Sequence, residues 1–130
     1  MTLIRKPAEL EIPQKIKALV YGQAGMGKTT LGLSAPKPLL LDFDGGVHRV
    51  NYGHQTDTVQ IHNWKEALEV LQEDLTAYET IVVDTIGKML DYIITYVCPV
   101  GNPRIQDWGK INQEFASFTR SASALNKNII

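Results

Sequence analysis

The residues best suited to chemistry form one glycine-rich run that fits the phosphate-binding pattern G-x-x-x-x-G-K-[ST]. The run consists of Gly22, Gln23, Ala24, Gly25, Met26, Gly27, Lys28, Thr29 and Thr30. Its glycines let the backbone turn tightly and present successive N–H groups to a triphosphate. We expect Lys28 to reach the β- and γ-phosphates and the Thr29 hydroxyl to coordinate a Mg²⁺ ion that bridges them. The pattern therefore predicts a nucleoside triphosphate site.

A phosphate-binding loop of this kind requires a strand before it and a helix after it. The apolar residues before the loop predict a strand over 16–21. The residues after the loop predict a helix over 28–34, which Pro36 and Pro38 end. The alternative is a glycine-rich turn that binds nothing, and the strand–loop–helix context favours the nucleotide site.

Two further predicted strands end in carboxylates. The short apolar run 39–41 leads into Asp42 and Asp44, and the β-branched run 80–83 leads into Asp84. In a parallel sheet, ligands bind beyond the carboxyl ends of the strands. The sequence therefore predicts that these carboxylates converge with the phosphate loop at one edge of the sheet.

The predicted position of Asp84 faces the metal bound by Thr29, so Asp84 is the second candidate Mg²⁺ ligand. The alternative is that Asp84 only caps the following helix. In many ring ATPases a glutamate occupies the next position and polarises the attacking water, but here that residue is Thr85. A general base must therefore come from elsewhere. Asp44 is the candidate, and Asp42, which could instead be a structural capping residue, is the alternative.

The rest of the chain predicts an α/β fold. Extended segments are expected at 58–61 and 128–130, and helices over 64–78, with Asn63 as N-cap, over 89–97 and over 108–125. Strands that alternate with helices through short connections predict a mostly parallel sheet with helices on both faces.

The predicted organisation is an extended arm over 1–15 followed by one core over 16–130. Pro7 and Pro13 interrupt any periodic pattern in the arm. The chain stops inside the predicted strand at 128–130, and we expect it to be an amino-terminal piece of a longer protein.

Composition excludes several classes of protein. The net charge of −1 and the hydrophobic fraction of 44% provide neither a global basic field nor a disordered composition. Cys98 is the one cysteine of the sequence, which rules out an intramolecular disulfide and favours packing in a reducing compartment. The histidines have no metal-ligand spacing, and no apolar stretch is long enough to cross a bilayer. We expect a cytoplasmic protein that does not enter a membrane.

The combined motifs resemble the ATPase core of the RecA superfamily. The chain is more specifically similar to the RecA-like nucleotide-binding proteins encoded by phages and prophages. The residues that carry this resemblance lie at 22–30, 41–44 and 80–85, with further likeness at 61–75 and 107–112. The resemblance covers about residues 16–130 and implies an incomplete P-loop NTPase core, because the strand end that senses the γ-phosphate in that superfamily would lie beyond Ile130.

The resemblance implies Mg²⁺-dependent ATP binding and hydrolysis in phage DNA recombination or single-strand annealing. It places Asp44 where such cores usually have a water-activating glutamate. It also implies single-stranded DNA as a partner, with the 99–106 loop and Arg104 as first candidates for the contact. Sites in such proteins are often completed by a neighbouring subunit, which implies a homo-oligomer.

Three other functions fit parts of the pattern. A GTPase is suggested by the D-x-x-G runs that begin at Asp42 and Asp84, but 126–129 lacks the aspartate of the guanine-selecting N-K-x-D motif. A small-molecule kinase would bring a lid with several arginines, whereas only Arg104 and Arg120 follow Arg49. The third alternative is a nucleotide-binding switch or assembly module with little turnover.

Overall fold

The computed structural model describes residues 3–11, 15–23, 26–45 and 56–130. Within them the strands are β1 Pro38–Asp42, β2 Thr58–Gln60, β3 Thr80–Asp84 and β4 Asn128–Ile129. The α-helices are α1 Lys28–Leu33, α2 Trp64–Val70, α3 Ile86–Val97 and α4 Ile105–Ser123, and a 3₁₀ turn spans Pro7–Glu9. None of the helices in the described ranges is long and apolar enough to cross a membrane.

The described strands form one parallel sheet in the order β2-β1-β3-β4. β1 and β3 lie side by side along their full length, with Leu40 opposite Val82 and Asp42 opposite Asp84. Parallel neighbours need crossover connections; α2 follows β2 on the way to β3, and α3 and α4 connect β3 to β4. The predicted α/β class and parallel sheet are therefore confirmed.

Alternation of side chains along β1 and β3 divides the core between the two faces of the sheet. Leu39, Leu41 and Ile81 are buried in the larger core, which α2, α3 and α4 cover. Leu40 and Val82 point to the opposite face and pack there against Leu33 of α1. Helices lie on both faces, as predicted, and α1 is the helix that carries the end of the phosphate loop.

The strand predicted over 16–21 is wrong in its extent. Only Lys17 forms a bridge, parallel to Ile129 of β4. Ala18 N donates to Ile129 O at 2.9 Å and Ile129 N donates to Ile16 O at 2.9 Å. Because β4 is only two residues long, it offers no ladder along which a longer strand could pair. The segment nevertheless lies next to β4, so β4 separates it from β3.

The helix predicted over 64–78 is also wrong in its extent, since α2 ends at Val70. The Asp74 carboxylate accepts hydrogen bonds from the backbone N–H and the hydroxyl of Thr76, at 3.1 and 2.8 Å. Side chains that bond locally to the backbone in this way compete with helical hydrogen bonding. Leu75 and Tyr78 still pack against the core, but from a turn and not from a helix face.

The other boundaries agree more closely with the sequence pattern. Asn63 is the N-cap of α2, and its side chain accepts from Glu66 N at 3.0 Å. α4 begins at Ile105, before the predicted start at Trp108. Residues 3–11 of the arm are exposed and contain a 3₁₀ turn, so the arm is not wholly extended.

Candidate functional site

The carboxyl edge of the sheet holds two adjoining clefts that share Gly22 and Lys28. The first, of about 280 Å³, lies between the phosphate loop and the end of β3 and is lined by Thr29 and Asp84 among others. The second, of about 460 Å³, extends past Met26 on the other side of the loop. Ligands of parallel sheets bind at this edge, so the clefts occupy the expected position.

Two glycines set the position of α1 relative to the sheet. Gly27 immediately precedes α1 with φ 83°, a left-handed conformation that favours glycine. A Cβ atom on Gly32 would lie 2.9 Å from Val82 Cγ1, so α1 packs closely on β3. This close approach brings the first turn of α1 to the end of β3. Ala24 and Gly25, also predicted to contact phosphate, lie outside the described residues.

The Lys28 ammonium folds back over the loop. Its Nζ donates to the carbonyl oxygens of Gly22, at 2.6 Å, and Gln23, at 2.9 Å. A lysine ammonium has three donors, and charge-assisted bonds to phosphate oxygens are stronger than bonds to neutral carbonyls. The geometry therefore holds a positive charge in both clefts, where a polyphosphate could compete for its donors.

Thr29 and Asp84 meet across the first cleft. Thr29 Oγ1 donates to Asp84 Oδ2 at 2.6 Å, and both side chains are partly buried. A hydroxyl and a carboxylate are the hard oxygen ligands that Mg²⁺ prefers. The predicted pair is therefore in place, and its donor chemistry fits the ion.

Asp84 is not the cap of the next helix, so that alternative is wrong. The N-cap of α3 is Thr85, which follows Asp84 across a cis peptide bond and accepts from Lys88 N at 3.4 Å. The described residues contain no group of three or more His, Cys, Asp or Glu side chains that could hold a metal alone. A Mg²⁺ ion bound by Thr29, Asp84 and substrate phosphates needs no such group.

The two candidate bases differ sharply in exposure. Asp44 is exposed, and its backbone N–H donates to Asp84 O at 3.2 Å, which holds it at the same edge as Asp84. Asp42 is 2% exposed, and its Oδ1 accepts from Gly45 N at 2.8 Å. Asp42 thus closes the turn after β1, and Asp44 is the one that solvent reaches. The assignment of Asp44 as base stays a prediction.

Two further glycines that line the first cleft, Gly32 and Gly87, were not predicted as site residues. Gly32 lies in the helical pattern after the loop, and a glycine inside a helix is itself a signal of close packing. Gly87 lies at the start of α3, and the sequence pattern offered it only as the end of the D-x-x-G run that begins at Asp84. Thr30, which was predicted to contact the nucleotide, is in α1 but is not among the described residues that line either cleft.

The loop predicted over 99–106 ends earlier than expected, because Ile105 and Gln106 already belong to α4. None of its residues is among the described ones that line the two clefts. The Arg104 side chain is 74% exposed. Arg104 N donates to Asp107 Oδ2 at 2.9 Å, and this bond is the main reason that the pKa of Asp107 lies below its ordinary value.

Burial, followed by the hydrogen bond to Asp107, raises the pKa of the Cys98 thiol. Cys98 is therefore held as the neutral thiol, consistent with the packing role predicted for it.

Comparison with known families gives one match. A family model described as "AAA domain" matches residues 14–130. The match covers the phosphate loop, the whole sheet and Asp84. Neither the search of curated proteins nor that of solved structures returned a match.

Proposed function

Because the chain belongs to the AAA domain family, a P-loop ATPase-like family, we propose that it binds Mg·ATP at the carboxyl edge of the sheet and hydrolyses it. The observation that carries the proposal is the 2.6 Å contact between Thr29 Oγ1 and Asp84 Oδ2 beside the Lys28 ammonium. Together these residues supply a cation for the phosphates and two oxygen ligands for Mg²⁺. A glycine-rich turn without a ligand would not require this combination.

Hydrolysis would be an in-line attack of water on the γ-phosphorus. The water oxygen forms a bond to phosphorus, the bond to the β–γ bridging oxygen breaks, and ADP and phosphate result. Asp44 would accept the proton of the attacking water. The exposure of its side chain and the backbone bond from Asp44 N to Asp84 O support this role. The Mg²⁺ ion held by Thr29 and Asp84 would neutralise charge on the phosphates.

We further propose that the protein acts as a RecA-like ATPase in phage DNA recombination or single-strand annealing. Exposed groups around the 99–106 loop support a contact with single-stranded DNA. Arg104 is largely exposed, Ile105 is 93% exposed, and Trp108 on the next turn is 45% exposed. Cationic side chains beside exposed aromatic rings are the groups on which single strands stack.

The site would be completed by a neighbouring subunit. Large apolar side chains around the clefts support this part of the proposal, because they are exposed in the single chain. These are Leu19, Tyr21, Met26 and Leu31. A second subunit that covers them would also be placed to reach the γ-phosphate.

The test is ATP binding and turnover with Mg²⁺ or EDTA, with and without single-stranded DNA, and with GTP as a competitor. Lys28→Ala should lose at least tenfold in Mg·ATP affinity, which corresponds to about 1.4 kcal/mol. Lys65→Ala, an exposed lysine of α2, is the matched control and should bind as the wild type does.

Failure of the wild type to bind ATP would overturn the proposal. Preference for GTP would replace it with a GTPase. Binding and turnover that DNA does not raise would remove the DNA role and leave a nucleotide-binding module.

A further inference from the structure

One buried carboxylate oxygen near the candidate site has no partner that the turn or the core explains. Asp42 is 2% exposed, and its Oδ1 accepts from Gly45 N at 2.8 Å. Among the described residues, Asp42 Oδ2 stands out as a buried side-chain oxygen atom that has no hydrogen-bond partner. A buried acceptor left unpaired destabilises a fold, and more so when it is charged.

The turn alone does not account for a carboxylate at this position. An asparagine would offer the same kind of oxygen acceptor to Gly45 N, because asparagine and aspartate side chains both make this bond in turns. Asparagine would also avoid burying a charge. The turn therefore accounts for Oδ1 of Asp42 but not for its second oxygen, Oδ2.

The sheet register places Asp42 next to the proposed metal ligand. Leu40 and Val82 are opposite each other and share the face that Leu33 of α1 covers. Because side chains on one face recur every second residue, Asp42 and Asp84, which are also opposite each other, lie on that same face. Neighbouring strands are about 4.8 Å apart. Asp42 and Asp84 thus lie next to each other on one face of the sheet, at the edge where Thr29 bonds to Asp84. Asp42 itself is buried and is not among the described residues that line the two clefts.

Two ionised carboxylates next to each other repel, and a cation or its ligands placed between them would relieve that repulsion. Mg²⁺ gives up its water reluctantly and usually keeps several water ligands in a protein site. Those waters can donate a hydrogen bond to a buried acceptor that lacks a partner. An outer partner of this kind orients the inner ligands of a metal.

We propose that Asp42 is a positioning residue for the Mg²⁺ ion, its Oδ2 accepting a hydrogen bond from a water of the hydration shell while Oδ1 stays on Gly45 N. The inference rests on the proposed function, since it requires the ion that Thr29 and Asp84 would hold. It assigns different tasks to Asp42, the last residue of β1, and to Asp44, which follows the strand. Asp44 meets the attacking water, and Asp42 orients the metal.

The test measures metal affinity and not turnover. The wild type and Asp42→Asn are saturated with a non-hydrolysable ATP analogue, and Mn²⁺, an EPR-visible replacement for Mg²⁺, is titrated in. Asp42→Asn keeps an acceptor for Gly45 N and loses the charge. We expect its Mn²⁺ Kd to rise about tenfold, within the range known for outer-sphere partners, with analogue affinity in EDTA unchanged.

Two further variants make the result specific. Asp42→Ser also keeps an acceptor and lacks the carboxylate, so it repeats the test if the amide does not fold. Asp91→Asn removes the same charge from an exposed position of α3 and should leave the Mn²⁺ Kd as in the wild type.

An unchanged Mn²⁺ Kd in Asp42→Asn would overturn the inference, and it would mean that Oδ2 is met by a structural water. A loss of analogue affinity in EDTA would also overturn it, because Asp42 would then act by shaping the loop. If the wild type does not bind the analogue at all, the proposed function itself fails. That outcome is distinct from a failure of the Asp42 role alone.

Discussion

The Thr29 hydroxyl donates a 2.6 Å hydrogen bond to Asp84 Oδ2 although 55 positions of sequence separate the two residues. One lies in the first turn of α1 and the other at the end of β3. The hydroxyl proton is thus directed at one oxygen of the carboxylate. A Mg²⁺ ion would take both oxygens as ligands, so the contact marks where metal affinity should be most sensitive to substitution.

Thr29→Val should weaken Mg·ATP binding at least tenfold, because valine keeps the shape of threonine and lacks the oxygen ligand. Thr29→Ser should restore the affinity, since it keeps the hydroxyl. ATP titrations monitored by calorimetry, with Mg²⁺ and with EDTA, separate the metal effect from nucleotide binding itself. Thr119→Val, an exposed threonine of α4, is the control. Equal losses with Mg²⁺ and with EDTA would contradict a role in metal binding.

Gly32→Ala should destabilise the fold by about 1–3 kcal/mol, the usual cost of overpacking. The added Cβ would lie 2.9 Å from Val82 Cγ1, so α1 must shift away from β3. The same shift would separate Thr29 from Asp84, and Mg·ATP affinity should fall as well. Urea unfolding and nucleotide titration measure the two effects.

The matched control for Gly32 is Gly109→Ala, in the second turn of α4. A Cβ at Gly109 would meet no atom within 4 Å, and alanine is a better helix former than glycine by about 0.8–1.0 kcal/mol. Gly109→Ala should therefore stabilise the protein. If Gly32→Ala also raised the free energy of unfolding, as Gly109→Ala should, that result would argue against close packing of α1 on β3.

Asn63→Ala should cost about 1 kcal/mol of stability, because it removes the side-chain acceptor of Glu66 N at the start of α2. Urea unfolding at neutral pH measures the loss. Asn112→Ala changes an exposed asparagine within α4, where alanine is the better helix former, and it should be neutral or slightly stabilising. A neutral result at Asn63 would mean that α2 does not depend on its cap.

Asp107 should stabilise the folded protein at neutral pH, and that contribution should be lost in acid. The Arg104 N–H holds the pKa of Asp107 below its ordinary value. A carboxyl with a lower pKa in the folded state than in the unfolded state stabilises the fold above its unfolded pKa, near 3.9. That contribution is lost as the pH falls through the lower, folded pKa.

Asp107→Asn should therefore be less stable than the wild type at pH 7, and the difference should shrink as the pH falls below about 4. Unfolding by urea across this pH range measures it, with Asp91→Asn as the control for removal of a charge. A difference that stays constant with pH would show that Asp107 acts through its shape and not its charge.

The chemistry of the site was largely predictable from sequence because each residue type is tied to its task by local position. Lys28 and Thr29 follow a glycine-rich loop, and Asp84 ends a β-branched run. The parallel α/β sheet was predictable for the same reason, since alternation of strands and helices is a local pattern. The extents of the elements were less predictable. α2 ends at Val70, and beyond it Asp74 bonds locally to Thr76 where the pattern predicted further helix.

By itself, the sequence determined which groups could bind phosphate and metal and that they follow strand ends. The tertiary structure decided that β4 lies between the loop segment and β3, that Gly32 lets α1 approach Val82, and that Asp42 is buried while Asp44 is exposed. The physical reason is that strand neighbours and burial depend on residues far apart in the chain. A strand end carries its carboxylate in the sequence, but only its pairing determines which other carboxylate stands beside it.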